Sequence, residues 1–313
     1  MTVTTSFPSV SPAAEPPAAP APQAATGLQR LTVTLEMIKF QHTLFALPFA
    51  FTGMVLAARG WPGWHTLLWV MVAMVGARSA AMTFNRIVDR RFDAANPRTA
   101  GRALPAGRIS LAFAVGFAVV SVGVFVLAAA MLNPLCLVLS PVALLVTLGY
   151  SFAKRFTPLS HFVLGFSLAM APMGGWLAVT GTFGIPPLLL SFAVLAWTAG
   201  FDILYACQDR DFDRHAGLHS IPARWGVRAS LRASSLLHSL TVLALAGLAP
   251  MAGLGWIYLL GLGLIAAFLF YEHTLVSPTN LGRLNVAFFQ VNAWVSVLIF
   301  TATLLDLLIR SAH

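Results

Sequence analysis

Apolar residues along this chain gather into long runs separated by short polar stretches, with neither strict alternation nor a narrow amphipathic stripe. Nine such runs can be drawn, over residues 36–58, 66–88, 110–132, 134–152, 161–180, 187–207, 232–250, 254–271 and 286–308. Each is close to the ~20 residues that a helix needs to cross ~30 Å of hydrocarbon. Backbone groups in lipid must be satisfied within their own segment, so unbroken apolar runs predict helices and not a barrel. The pattern therefore predicts an all-α membrane protein with nine transmembrane helices in a bundle. Leu111–Leu132 and Val286–Leu305 contain no charged residue, and Asn133 with Pro134 predicts a tight hairpin between the third and fourth spans.

Composition agrees with the pattern and narrows it. Of 313 residues, 58% are hydrophobic and 9% charged, against about 45–50% and about 25% in ordinary soluble domains, which excludes a water-soluble globular protein. The formal net charge is +9, which in a soluble chain would suggest nucleic acid; here the placement of the charges reports topology, and no nucleic-acid partner is expected. With nine spans, sixteen of the 19 Lys and Arg fall on the side that holds the N-terminus and the loops after spans two, four, six and eight. Only Arg59 and Arg310 fall opposite, and Arg78 lies inside a span. By the positive-inside rule that crowded side is cytoplasmic and the C-terminus lies across the membrane. The expected location is the cytoplasmic (inner) membrane, multi-pass, with lipid as a partner. Residues 1–29 read as a Pro/Ala-rich disordered cytoplasmic tail and 30–310 as one domain. Cys136 and Cys207 sit in apolar runs without metal-ligand spacing and read as small buried hydrophobes.

Scarce charge makes the acids informative. Six of the 10 acidic residues occupy two stretches, Asp89 and Asp93 in one and Asp202, Asp209, Asp211 and Asp213 in the other. Asp89-Arg90-Arg91-Phe92-Asp93 repeats as Asp209-Arg210-Asp211-Phe212-Asp213, each closing an even-numbered span on the cytoplasmic side. Two related helical units facing one another across a cavity account for the repeat. Arg78, Asn85, Asp89 and Asp93 follow at intervals of seven, four and four residues, and Asp202, Asp209 and Asp213 at seven and four, so each set lines one face if its helix persists. Opposed carboxylates raise one another's pKa unless a cation lies between them. Oxygen ligands with room for water suit Mg²⁺, which commonly takes one or two carboxylates together with substrate phosphates. Ordinary solvated loops would also hold Asp and Arg, but two matching copies at corresponding helix ends argue against that reading. Arg98, Arg102 and Lys154 supply the guanidinium and ammonium groups that a diphosphate needs beside a metal. Lys154 and Arg155 have a competing role in anchoring a helix end to the cytoplasmic interface.

Asn85-Arg86-Ile87-Val88-Asp89-Arg90-Arg91-Phe92-Asp93, with Asn96, Arg98, Thr99 and Arg102, resembles the first aspartate-rich motif of the UbiA-type intramembrane aromatic prenyltransferases. Asp202 to Asp213, followed by Gly217, Ser220 and Ile221, resembles the second. The resemblance spans roughly residues 30–310, and in detail the chain is similar to the 4-hydroxybenzoate polyprenyltransferase branch, especially to the bacterial subgroup of the futalosine route to menaquinone. It implies a nine-helix bundle around a central cavity, with Mg²⁺ held by Asn85, Asp89, Asp93, Asp209 and Asp213. It also implies transfer of a polyprenyl group from polyprenyl diphosphate to a ring carbon of an aromatic acid, in ubiquinone or menaquinone biosynthesis. Asp202 matches a family position, as proton acceptor or as a group behind the metal ligands; Asp211 is doubtful because Arg91 stands at its counterpart. Arg78, two turns deeper than Asn85, is a candidate for an acceptor carboxylate or for a permanent ion pair with Asp202. His42, with Lys39, is a further acceptor candidate, against a purely structural role. The alternatives are another lipid prenyltransferase of the superfamily, of the haem O or chlorophyll type, or a secondary transporter, whose acids belong nearer the bilayer midplane.

Overall fold

The computed structural model describes residues 32–34, 36, 43–284 and 291–311. Among these described residues ten α-helices are delimited, in chain order: α1 Thr43–Ala58, α2 Trp64–Ala95, α3 Leu111–Leu132, α4 Pro134–Ala153, α5 Ser160–Thr180, α6 Ile185–Ala206, α7 Arg210–His215, α8 Ile221–Ala252, α9 Trp256–Thr274 and α10 Asn292–Ser311. Among the described residues there is no β-strand, only a single bridge between Ser277 and Asn280. Eight helical segments there are long and apolar enough to cross a membrane, and they meet expected spans two to nine. The first expected span is met by α1, which has 16 residues; the beginning of that span, with Lys39 and His42, lies outside the described residues, as does the tail over 1–29.

The predicted hairpin forms as its residues require. Pro134 opens α4 where its missing N–H costs nothing, and Asn133 Oδ1 accepts from Cys136 N at 2.9 Å while its amide donates to Leu177 O at 2.8 Å. α3 and α4 are peripheral: in the apolar window of α4 only 11% of residues are buried, against 61% for the helix that begins at Ile185. α6 is therefore the central pillar, and its Trp197 and Phe201 pack with Leu245, Leu248, Tyr258 and Ile299 in the largest apolar cluster.

Small residues set the closest helix approach. A Cβ added at Gly53 would lie 2.0 Å from Pro172 O, and one at Gly175 would lie 2.0 Å from Ala50 O. Glycines there let α1 and α5 touch backbone to backbone, a common device where lipid removes the hydrophobic drive for helix association. Two polar networks tie the other half together. Trp197 Nε1 donates to Asn292 Oδ1 at 2.7 Å, Asn292 donates to Glu272 at 3.2 Å, and His238 Nδ1 lies 3.0 Å from His273 Nε2, joining α6, α8, α9 and α10. At the opposite membrane face Asp306 on α10 accepts from Gly255 N at 2.7 Å, filling the N-terminal amides of α9.

Candidate active site

α2 holds the first acidic motif on a single helix 32 residues long, ending at Ala95 with Asn96 as its C-cap. Asn85, Asp89 and Asp93 thus share a face, as their spacing predicts. The second set departs from its expectation. α6 ends at Ala206, a 3₁₀ turn spans Cys207–Asp209, and α7 begins at Arg210. Three residues at 120° instead of 100° turn the chain by about 60° relative to a continued α-helix, so Asp202 and Asp209 do not share the simple heptad face.

The two motifs meet all the same. Asn85, Asp89, Asp93, Asp202, Asp209 and Asp213 line one cavity of about 280 Å³, together with the cations Arg78, Arg86, Arg98, Arg102, Lys154 and Arg155. Pairing is systematic. Arg98 grips Asp209 with a fork, Nε to Oδ1 at 2.9 Å and Nη2 to Oδ2 at 2.5 Å, while Asn96 donates to the same carboxylate at 3.2 Å. Arg102 donates to Asp93 at 2.6 Å and Arg86 stands 3.7 Å from its other oxygen. Lys154 reaches Asp213 at 3.3 Å, and Arg155 reaches Asp89 at 3.2 Å. These contacts cross between segments: the loop after α2 holds the second motif, and the end of α4 holds one acid of each.

Burial alone would lower the pKa of Arg98, but its hydrogen bond to Asp209 and the charge of that carboxylate hold it above the ordinary arginine value. Arg98 also donates to the Tyr205 hydroxyl at 3.2 Å and lies 5.4 Å from that ring centre.

Deeper in the membrane, Arg78 has no ion pair among the described residues, and its Nε is buried without a hydrogen-bond partner. The expected alternative, a permanent pair with Asp202, does not form; Asp202 Oδ2 instead lies 2.6 Å from His161 Nδ1. Arg78, Tyr150, Leu164 and Leu168 line the polar cavity and also a second, apolar cavity of about 300 Å³ walled by residues such as Ala50, Val70, Met74, Leu139 and Leu177. A polar chamber and an apolar one therefore share a boundary at a half-buried guanidinium with no ion pair among the described residues.

Every site residue expected from the sequence that falls among the described residues lines the polar chamber; His42 is outside the described residues. Asp211 does not line the chamber, its side chain being 81% exposed. Sequence reasoning missed the roles of Asn96, Tyr150, Tyr205 and His161, and gave Arg155 mainly to membrane anchoring. Arg155 instead donates to Val88 O at 2.9 Å as well as to Asp89, and lies 5.2 Å and 5.3 Å from the Phe92 and Phe152 ring centres.

The donor set fits a hard divalent cation. All candidate ligands are oxygens, and Asp93 Oδ2 is buried without a hydrogen bond. Among the described residues no three His, Cys, Asp or Glu side chains form a complete metal cage.

Comparison with known proteins gives one consistent result. The sequence profile described as the UbiA prenyltransferase family matches residues 46–297. The chain is 34% identical over 255 residues to a 4-hydroxybenzoate octaprenyltransferase of Aeromonas salmonicida, covering 81% of this chain and 87% of that protein. It is 35% identical over 260 residues to the namesake enzyme of Aliivibrio fischeri, covering 81% and 88%. The apo structure of a UbiA homolog from Aeropyrum pernix superposes with a TM-score of 0.78 at 35% identity, over 85% of this chain and 98% of that one. A UbiA homolog from Archaeoglobus fulgidus, solved with GPP and Mg²⁺, has a TM-score of 0.64 at 19% identity, over 85% and 99%, and so speaks to the fold.

Proposed function

The chain belongs to the UbiA prenyltransferase family, and on that premise we propose that it transfers a polyprenyl group from polyprenyl diphosphate to a ring carbon of an aromatic acid. The names of its relatives favour 4-hydroxybenzoate as acceptor, placing the reaction in quinone biosynthesis. The observation that carries the reading is the junction of the two chambers: an acid- and cation-lined polar space opens onto an apolar one at Arg78 and Tyr150. A diphosphate joined to an isoprenoid chain needs those two environments in contact.

The residues divide the work by charge. Asn85, Asp89, Asp93, Asp209 and Asp213 are the ligands proposed for Mg²⁺, which when bound supplies positive charge to the departing diphosphate. Arg98, Arg102 and Lys154, now paired with the motif carboxylates, are placed to take phosphate oxygens, with Arg86 and Arg155 beside them. Held in the chamber before substrate arrives, they can exchange a carboxylate for a phosphate oxygen and so meet the charge developing on the leaving group. Arg78 offers its free guanidinium to the acceptor's carboxylate, which holds the ring at the boundary between chambers. The C1–O bond of the allylic diphosphate breaks with its electron pair on oxygen, and the electron-rich ring, ortho to its hydroxyl, bonds to C1. Asp202 takes the ring proton that leaves as aromaticity returns.

The proposed topology puts this chamber on the cytoplasmic side of the inner membrane. The support is the cation count, since the loops that build the chamber hold most of the 19 Lys and Arg.

Purified protein in detergent, given a polyprenyl diphosphate, Mg²⁺ and 4-hydroxybenzoate, is expected to form the prenylated acid, and to stop when EDTA removes the metal. Asp89→Ala and Asp209→Ala should each abolish product. Failure of the wild-type protein to prenylate any aromatic acid, or full activity in both variants, overturns the reading.

A further inference from the structure

Asp202 differs from the other cavity acids in its partner, which is a histidine and not an Arg or Lys. His161, the second residue of α5, is fully buried. Its Nδ1 lies 2.6 Å from Asp202 Oδ2, and its Nε2 accepts a hydrogen bond from the backbone N–H of Ile221 at 3.3 Å. The second contact decides the first. A backbone amide only donates, so Nε2 must be the bare nitrogen of the ring, and in a neutral imidazole the proton then sits on Nδ1. His161 is thus locked as a donor to Asp202 by the first residue of α8.

This has a geometric effect on Asp202. One oxygen is pinned against buried α5, and no other hydrogen bond to Asp202 is found among the described residues, while its side chain remains 24% exposed in the polar chamber. Oδ1 therefore faces the chamber that Arg78 and Tyr150 also line. An unrestrained carboxylate would rotate about its Cβ–Cγ bond and offer either oxygen to either side; a short charge-assisted bond of this type fixes the choice.

We propose that His161 is a positioning residue for the prenyl-transfer reaction, holding Asp202 so that its free oxygen removes the ring proton. The proposal rests on the function argued above. In that step the C–H electron pair returns to the aromatic ring, the proton goes to Asp202 Oδ1 to give a carboxylic acid, and it is later released to water. His161 keeps its own proton throughout.

The test compares His161→Leu, of similar bulk but with no donor, with His161→Gln, whose amide has both a donor for Asp202 and an acceptor for Ile221. His161→Leu is expected to lower kcat about 10- to 100-fold, less than the roughly 10²–10⁴-fold that a general base itself supplies because the base remains, and to leave the diphosphate KM unchanged. A competitive isotope effect with acceptor deuterated ortho to its hydroxyl should be small in the wild type and rise clearly in His161→Leu, because proton removal becomes slow. His161→Gln should restore both. The isotope effect is a ratio over turnovers, so it does not depend on how much of the variant is folded. Unchanged kcat in His161→Leu, or lower kcat without an isotope effect, overturns the positioning role. If His161→Leu has no turnover at all, proton NMR of nitrogen-15 histidine-labelled protein decides: a downfield Nδ1–H signal present in wild type and lost in Asp202→Ala supports the proposal, and its absence overturns it. A wild-type enzyme with no prenylation would instead sink the functional reading on which all of this stands.

Discussion

At the scale of single residues, the informative distinction is between the chamber cations that have ion pairs among the described residues and Arg78, which has none there. Arg98 already spends a bidentate fork on Asp209, whereas half-buried Arg78 has a buried, orphaned Nε and no ion pair among the described residues. A guanidinium partly removed from water without a counter-ion carries a desolvation cost that an anionic ligand offsets. Arg78→Leu is therefore expected to raise the acceptor KM about 10- to 100-fold, the equivalent of a charge-assisted bond of about 1.5–3 kcal/mol, with the diphosphate KM little changed. Steady-state kinetics with each substrate varied in turn checks the split, and a larger effect on the diphosphate would move Arg78 to the metal end. Arg98→Lys keeps the charge but loses the fork, so the diphosphate KM should rise about tenfold while the acceptor KM holds. Much of this was readable from sequence because charge is scarce: an Asp or Arg inside an apolar run announces itself. His161 and Tyr150 were not readable in this way. Each is a neutral residue whose role comes from a neighbour on another helix, Asp202 in one case and the shared chamber wall in the other, and no spacing within one helix encodes that.

At the scale of elements, the apolar runs located the helices because hydrocarbon thickness fixes their length, but they said nothing of where a helix tightens or bends. The 3₁₀ turn at Cys207–Asp209 falls in the site itself, and α8 breaks at Gly226, with φ 81° and ψ 170°. The heptad arithmetic for Asp202 and Asp209 assumed a uniform helix and missed the first of them. Helix contacts were equally hidden, although they can now be tested. Gly175 faces Ala50 O at a distance that leaves no room for a side chain, so Gly175→Val must push α1 from α5. The expected cost is about 1–3 kcal/mol or more, as for other overpacked contacts, seen as a lower melting temperature in detergent; because α1 and α5 both wall the apolar chamber, prenyl-chain binding should weaken with it. Asp306→Ala removes the carboxylate that accepts from Gly255 N at the start of α9. That should cost about 0.5–2 kcal/mol, as for a lost N-cap, with kcat unaltered in the folded fraction, since Asp306 sits at the membrane face away from the chamber.

At the scale of the whole molecule, charge asymmetry and span count constrain each other through parity. The loops that carry the acidic motifs hold the cations, and the opposite face presents exposed Trp61, Trp64 and Trp256, the amphipathic aromatics that settle at a membrane interface. Among the described residues eight helices are long enough to span, while the described part of α1 has 16 residues, about 24 Å at 1.5 Å per residue, against the ~30 Å of a bilayer core. Whether this first segment crosses decides only the side of the N-terminus, because α10 carries the C-terminus away from the loop that follows α9 in either case. Arg30 and Lys39 precede α1 and favour retention inside, so crossing is the expected outcome. In right-side-out spheroplasts an epitope tag after His313 should be cleaved by added protease, while a tag before Met1 should survive until the membrane is broken. Cleavage of both tags would mean that α1 dips into the chamber without crossing. Its Ala46 and Ala50 would then line the apolar space from a re-entrant segment, a non-spanning geometry that lipid permits only for backbone buried within protein.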